Sequence, residues 1–166
     1  MAVRDIRFFG DPILRSPCDT IDPSSKSAQT LVQDLIDSVK VPGRAGVAAN
    51  QIGVGLRAFS YNVDGAVGYV LNPTLVSVEG EPDLVDEGCL SVPGLSFPRR
   101  RYPKATVSGQ LLDGSAITLT GEGLMAQALQ HECDHLEGHL YIEGLEADVK
   151  KEAMAAIRQS DWFNQV

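Results

Sequence analysis

Glu122-Gly123-Leu124-Met125-Ala126-Gln127-Ala128-Leu129-Gln130-His131-Glu132-Cys133-Asp134-His135-Leu136 is the stretch around which the rest of this chain is arranged. Its apolar spacing predicts a helix from about Glu122 to Leu136, with Leu124, Ala128 and Leu129 on or near the buried side. His131 and His135 stand four residues apart. At about 3.6 residues per turn they share one face, with Cβ atoms roughly 5–6 Å apart. Both rings can therefore close on one cation, while Glu132 points beside it toward a water. Cys133 lies between them in sequence but is turned roughly 160–200° from their face. The plain alternative is a surface helix that happens to carry two histidines.

Two histidines do not complete a catalytic site of this kind, which takes three protein ligands and leaves a position for water. One protease pattern continues H-E-x-x-H-x-x-G-x-x-H. Gly138 fits it, but Tyr141 stands where the third histidine belongs. Another uses a glutamate from a later helix, for which Glu146 and Glu152 are candidates. Upstream, Glu87-Gly88-Cys89-Leu90-Ser91 places a thiol in a glycine-containing loop at the end of a strand. A thiolate suits zinc or ferrous iron, and glycine lets the backbone come close to the metal. Taken alone, a cysteine is more often a small buried hydrophobe than a ligand. Beside an incomplete His-x-x-x-His site, the ligand reading of Cys89 gains over that one.

Three separated motifs in this order resemble the peptide deformylase family. Gly46-Val47-Ala48-Ala49-Asn50-Gln51 is similar to the family's G-x-G-x-A-A-x-Q, Glu87 to Ser91 to its E-G-C-L-S, and Gln130 to His135 to its Q-H-E-x-D-H. Gly10-Asp11-Pro12-Ile13-Leu14-Arg15 also resembles the family's opening segment, so the likeness runs from about residue 3 to 145. One departure is Arg44, which replaces the first glycine of the G-x-G pair. The resemblance implies hydrolysis of the formyl amide on N-terminal formylmethionine, with Cys89, His131 and His135 as metal ligands. Glu132 would be the general base and acid, and the Gln51 amide and Leu90 backbone N–H would face the developing oxyanion. Fe²⁺ is the implied cellular metal, although the ligand types also admit Zn²⁺, Ni²⁺ or Co²⁺. Gly46 and Gly88 would draw the wall close enough to admit formyl and exclude a full residue. Val47, Val85, Leu124 and Ala128 are candidates for the methionine pocket and equally for plain core. The rivals are a zinc endopeptidase working from the helix alone, and a metal-binding or ribosome-associated module that has lost catalysis.

Composition narrows the setting. A chain of 166 residues fits one domain, 1–166, with room for a sizeable core. No apolar run approaches about 18 residues, so no membrane helix is expected, and Arg4, Asp5 and Arg7 interrupt any signal-like segment. Three cysteines argue against a disulfide framework and for the cytoplasm, with Cys18 and Cys133 as bystanders. A net charge of −8 argues against nucleic-acid binding through a basic surface. The basic run Arg99-Arg100-Arg101 reads as a solvated turn, and His139 as structural or surface. From Glu143 to Val166, Lys150, Lys151 and Arg158 oppose Glu143, Glu146, Asp148, Glu152 and Asp161. The basic docking helix expected of bacterial relatives is thus missing. The expectation is a monomer that meets formylated nascent chains with at most weak ribosome contact, its last helix packed through Ala153, Ile157 and Trp162.

The remaining elements follow from local pattern. Leu31, Leu35, Ile36 and Val39 predict a helix from about Ala28 to Lys40, capped by Ser27 and ended by Pro42-Gly43. Strands are expected at Leu56–Tyr61, Val67–Leu71 and Thr74–Val78, the last two broken by Asn72-Pro73. Ala105–Leu111 and Ala116–Thr120 flank Asp113-Gly114 as a hairpin. Ala147 to about Gln159 reads as a closing helix. The class is α+β: antiparallel sheets partly wrapping a metal-bearing helix, between an N-terminal and a C-terminal helix.

Overall fold

Ser25 opens the first helix, because its hydroxyl oxygen accepts the Ala28 N–H at 3.1 Å. In the computed structural model, which describes residues 2–163, α1 (Lys26–Val39) therefore begins ahead of the expected Ser27 cap. The reason is the turn before it: the Ser25 N–H and hydroxyl both donate to the Asp22 carbonyl, at 3.1 and 2.7 Å. Leu31, Leu35 and Val39 form the buried stripe of α1.

The strands are β1 (Gly46–Ala48), β2 (Ala58–Val63), β3 (Ala66–Glu79), β4 (Asp83–Cys89), β5 (Val92–Arg101), β6 (Lys104–Gln110) and β7 (Ala116–Glu122). Five of them make one antiparallel sheet in the order β1-β2-β3-β6-β7, while β4 and β5 pair as a separate hairpin. The expected break at Asn72-Pro73 does not divide β3. Register against β6 slips between Leu71 and Thr74, and this bulge accommodates the proline. Asn72 takes a left-handed φ of 49°, and its side chain hydrogen-bonds the backbone N–H and carbonyl of Ile21 at 2.9 and 2.8 Å. The strand bends there without ending. Asp113-Gly114 does lie in the β6–β7 turn, where Asp113 Oδ1 accepts the Ser115 N–H at 2.9 Å and Gly114 sits at φ 85°.

Arg99-Arg100-Arg101 is the end of β5, not a solvated turn. Arg100 faces outward and pairs with Glu146 at 2.9 Å. Arg101 is buried because carboxylates from two other elements meet it, Glu87 at 2.6 Å and Asp134 at 2.8 Å.

The motif helix α2 spans Leu124–Leu136. Gly123, at φ 57°, separates it from β7, so Glu122 closes the strand and does not open the helix. One side of α2 packs on the five-stranded sheet: Ala126, Leu129, Cys133 and Leu136 share a core with Phe59, Val70 and Val107. Its other side faces the β4–β5 hairpin. The closing helix α3 (Ala147–Arg158) buries Ala153 and Ile157 with Val92 and Phe97 of that hairpin. Trp162 donates its indole N–H to the Pro93 carbonyl at 3.0 Å. Residues 164–166 of the closing segment lie outside the described residues. Two antiparallel sheets thus enclose a central helix, as the sequence predicts, and no described helix is long and apolar enough to cross a membrane.

Candidate metal centre and active site

The two faces of α2 have different work. While Cys133 packs into the sheet core, His131 and His135 turn toward the tip of the β4–β5 hairpin, where β4 ends at Cys89. The ligand atoms of Cys89, His131 and His135 all lie within 4.8 Å of one another. The two Nε2 atoms are 3.0 Å apart, and Cys89 Sγ is 3.3 Å from His135 Nε2. Cys18 and Cys133 lie outside this cluster, and burial pushes their thiols up, to about 11 and about 12.

Glu87 fixes the donor set. Its Oε2 is 2.7 Å from His131 Nδ1, which places the ring proton on that side and leaves the Nε2 lone pair directed at the cluster. Arg101 in turn grips Glu87 through Nε at 2.7 Å and Nη2 at 2.6 Å. Burial alone would raise the Glu87 carboxyl, but the hydrogen bonds from Arg101 and His131 outweigh it and hold the group at about 2. A cysteine sulfur, an imidazole oriented by Glu87 and a second imidazole one helical turn on are a donor set that fits a divalent cation such as Zn²⁺ or Fe²⁺. Neither Glu87 nor Arg101 was assigned a role from sequence. The carboxylate lies in the quoted Glu-Gly-Cys-Leu-Ser stretch, and its place two residues before Cys89, on the same side of an extended strand, is the available signal.

Glu132 is buried beside this cluster, and its Oε1 has no hydrogen-bond partner among the described residues. Burial pushes its carboxyl up to about 7, with the nearby His131 opposing part of that rise. Gly46 faces it so closely that a Cβ there would lie 2.9 Å from Glu132 Cδ. Gln51 is carried by the short 3₁₀ turn Ala49–Ile52 that follows β1. Its Oε1 accepts the Ala48 N–H at 3.0 Å, and its Nε2 donates to Ser91 Oγ at 3.1 Å and approaches Cys89 Sγ at 3.5 Å. Ser91 is thus the acceptor that orients the Gln51 amide.

These residues border a cleft of about 390 Å³. Gly46, Gln51, Gly88, Cys89, Leu90, Leu124, Ala128, His131 and Glu132 line it, and so does Arg44, whose Nη1 donates to the Ser38 carbonyl at 2.9 Å. Two residues named from sequence lie elsewhere. Val47 alternates to the opposite face of β1 from Gly46 and is buried in the core with Leu35 and Leu71. Val85, on β4, is not part of the lining. Leu124 sits at the first turn of α2 and is 51% exposed, a rim residue where sequence placed it on the buried side. Tyr141 packs in the core near the His131 ring, 6.2 Å between centroids, and His139 is exposed.

Comparison with known proteins agrees with this arrangement. A peptide deformylase of Acidothermus cellulolyticus is 46% identical over 99% of this chain and 91% of its own length. Peptide deformylase 1 of Corynebacterium efficiens is 43% identical over 99% of this chain and its own full length. The crystal structure of a peptide deformylase from Legionella pneumophila superposes with a TM-score of 0.87 at 34% identity, covering 95% of each chain. The polypeptide deformylase family model matches residues 3–151, a span that holds the cysteine loop, the histidine helix and the glutamine turn together, and the chain belongs to that family.

Proposed function

We propose that Cys89, His131 and His135 hold one divalent cation, and that Glu132, Gln51 and the Leu90 backbone do the chemistry beside it. The family removes the formyl group from the N-terminal formylmethionine of new proteins, releasing formate. The convergence of one sulfur and two ring nitrogens within 4.8 Å, against a buried Glu132 oxygen without a partner among the described residues, is the observation that supports this reading most. A divalent cation held there supplies Lewis acidity and lowers the pKa of its water toward neutrality. Fe²⁺ is the proposed cellular ion; Zn²⁺, Ni²⁺ and Co²⁺ suit the same donors.

Glu132 takes the proton of the attacking water and delivers it to the departing amine. Its burial beside the three side chains, with no competing hydrogen bond on Oε1 among the described residues, leaves the carboxylate free to accept and then return a proton. The Gln51 amide, held by Ala48 and Ser91, keeps its second N–H on the side of Cys89, where the formyl oxygen would gain charge, and Leu90 N–H supplies a second donor. Gly46 and Gly88 keep this wall free of side chains. Formyl, with only hydrogen on its carbon, fits where a peptide carbonyl carrying a full residue does not. Leu124 and Ala128 are the apolar contacts proposed for the methionine side chain. The chain is proposed to act as a cytoplasmic monomer on nascent formylated peptides. With a net charge of −8 and α3 packed through Ala153 and Ile157, ribosome contact is weak at most.

The test is formate release from formyl-Met-Ala, with metal analysis on protein purified without oxygen. Release with about one cation per chain is expected, together with no cleavage of acetyl-Met-Ala. A fully metallated protein that leaves formyl-Met-Ala intact would overturn the assignment.

A further inference from the structure

Asn50 is fully buried and crosses from the glutamine turn to the end of the metal helix. Its Nδ2 donates to the His135 carbonyl at 2.6 Å, across 85 positions of sequence. That carbonyl belongs to the last turn of α2, where no continuing helix supplies partners. It also accepts the Gly138 N–H at 3.0 Å, so both of its lone pairs are engaged. The two histidines are therefore held by different means. His131 has the Glu87 carboxylate on its Nδ1 at 2.7 Å. His135 Nδ1 is buried with no hydrogen-bond partner among the described residues. Its ring direction thus depends on where the backbone of residue 135 is fixed and on the packing around it.

We propose that Asn50 is a positioning residue for the metal centre: its amide anchors the His135 backbone to the 3₁₀ turn that carries Gln51. The same bond fixes the end of α2 against the glutamine turn, and with it the spacing of the His135 ring, the Gln51 amide and Cys89. A side chain whose only assignment is the variable place of the Ala-Ala-x-Gln motif then ties the third ligand to the oxyanion donor. Loosening the anchor lets the end of α2 and the turn drift apart, which weakens cation retention and lowers kcat with little effect on KM. The inference rests on Cys89, His131 and His135 being the ligand set.

Asn50→Leu removes the bond at nearly constant volume, and Asn50→Ala serves if leucine blocks folding. Ser60→Ala is the structural control. Ser60 is equally buried and donates to the Leu35 carbonyl at 2.8 Å on α1, a helix that contributes no residue to the cleft. Each protein is loaded with Co²⁺, its visible and near-ultraviolet absorption recorded, and cobalt loss to excess EDTA followed. Losing a partner that orients a ligand costs about 10–100-fold in metal affinity. The expected result is cobalt loss at least ~10-fold faster for the Asn50 variant, with altered visible bands and an intact thiolate band. Ser60→Ala should match wild type in both, whatever its melting temperature. Unchanged release and spectrum in the Asn50 variant, or the same change in Ser60→Ala, would overturn the inference. Failure of the ligand set is separate: the wild-type thiolate band would then survive Cys89→Ser.

Discussion

Gly46→Ala is expected to disable the general base while leaving the metal and the fold in place. A Cβ on Gly46 would lie 2.9 Å from Glu132 Cδ and 3.0 Å from Cγ, with Oε2 closer still. Carbon atoms rest near about 3.5–4.0 Å, so the carboxylate must retreat by roughly 1 Å. The atoms in the way are the end of a flexible side chain, and Gly46 has no left-handed φ to strain. The fold therefore yields at Glu132 and little elsewhere. A reacting group misplaced by about 1 Å costs on the order of 10²-fold in rate. Formate release from formyl-Met-Ala would be followed alongside metal content and thermal melting. Gly55→Ala is the control, because nothing lies within 4 Å of a Cβ there. Turnover of Gly46→Ala within about threefold of wild type would refute the placement of Glu132, as would a loss of activity that simply tracks a loss of metal.

Three further outcomes follow from the same geometry. Cys89→Ser should lose the cation sharply and the near-ultraviolet thiolate band of the cobalt protein with it, while Cys18→Ser and Cys133→Ser should keep both; a band surviving in Cys89→Ser would contradict the ligand set. Glu87, held at about 2 against an ordinary 4.5, is depressed by folding, so its contribution is present above pH 4.5 and is lost as pH falls toward 2. Stability of the metal-free protein to urea should therefore fall as pH drops through that window, and Glu87→Gln should flatten the slope; equal slopes in both proteins would remove Glu87 as the cause. Co-sedimentation with ribosomes at physiological salt should be substoichiometric at micromolar protein, and stoichiometric pelleting that is lost on truncation after Leu145, with the fold intact, would show docking through the closing segment.

The histidine face was legible because a period of about 3.6 turns a four-residue spacing into a shared face whatever the surroundings. Cys89 was legible for a similar local reason, a thiol in a glycine-bearing loop beside an incomplete ligand set. What sequence concealed depends on partners from distant elements. Arg101 looked like part of a solvated basic run, and only Glu87 on β4 and Asp134 on α2 together make its burial favourable. Asn72-Pro73 carried a true break signal, yet the bulge and the bonds from Asn72 to Ile21 absorb it within one strand. Val47 and Gly46 are neighbours on β1, and strand alternation sends one to the core and leaves the other against Glu132. Asn50 offered no local signal at all, since its partner is a backbone carbonyl 85 positions away.

The most direct test of the account is Glu132→Ala, with metal stoichiometry and formate release measured on the same sample. Glu132 is buried beside the ligands and contributes no atom to the Cys89–His131–His135 cluster. Wild-type metal content and a rate reduced by at least ~10²-fold are expected, because one carboxylate both accepts and returns the proton. A metal-loaded variant that turns over at nearly the wild-type rate would contradict it.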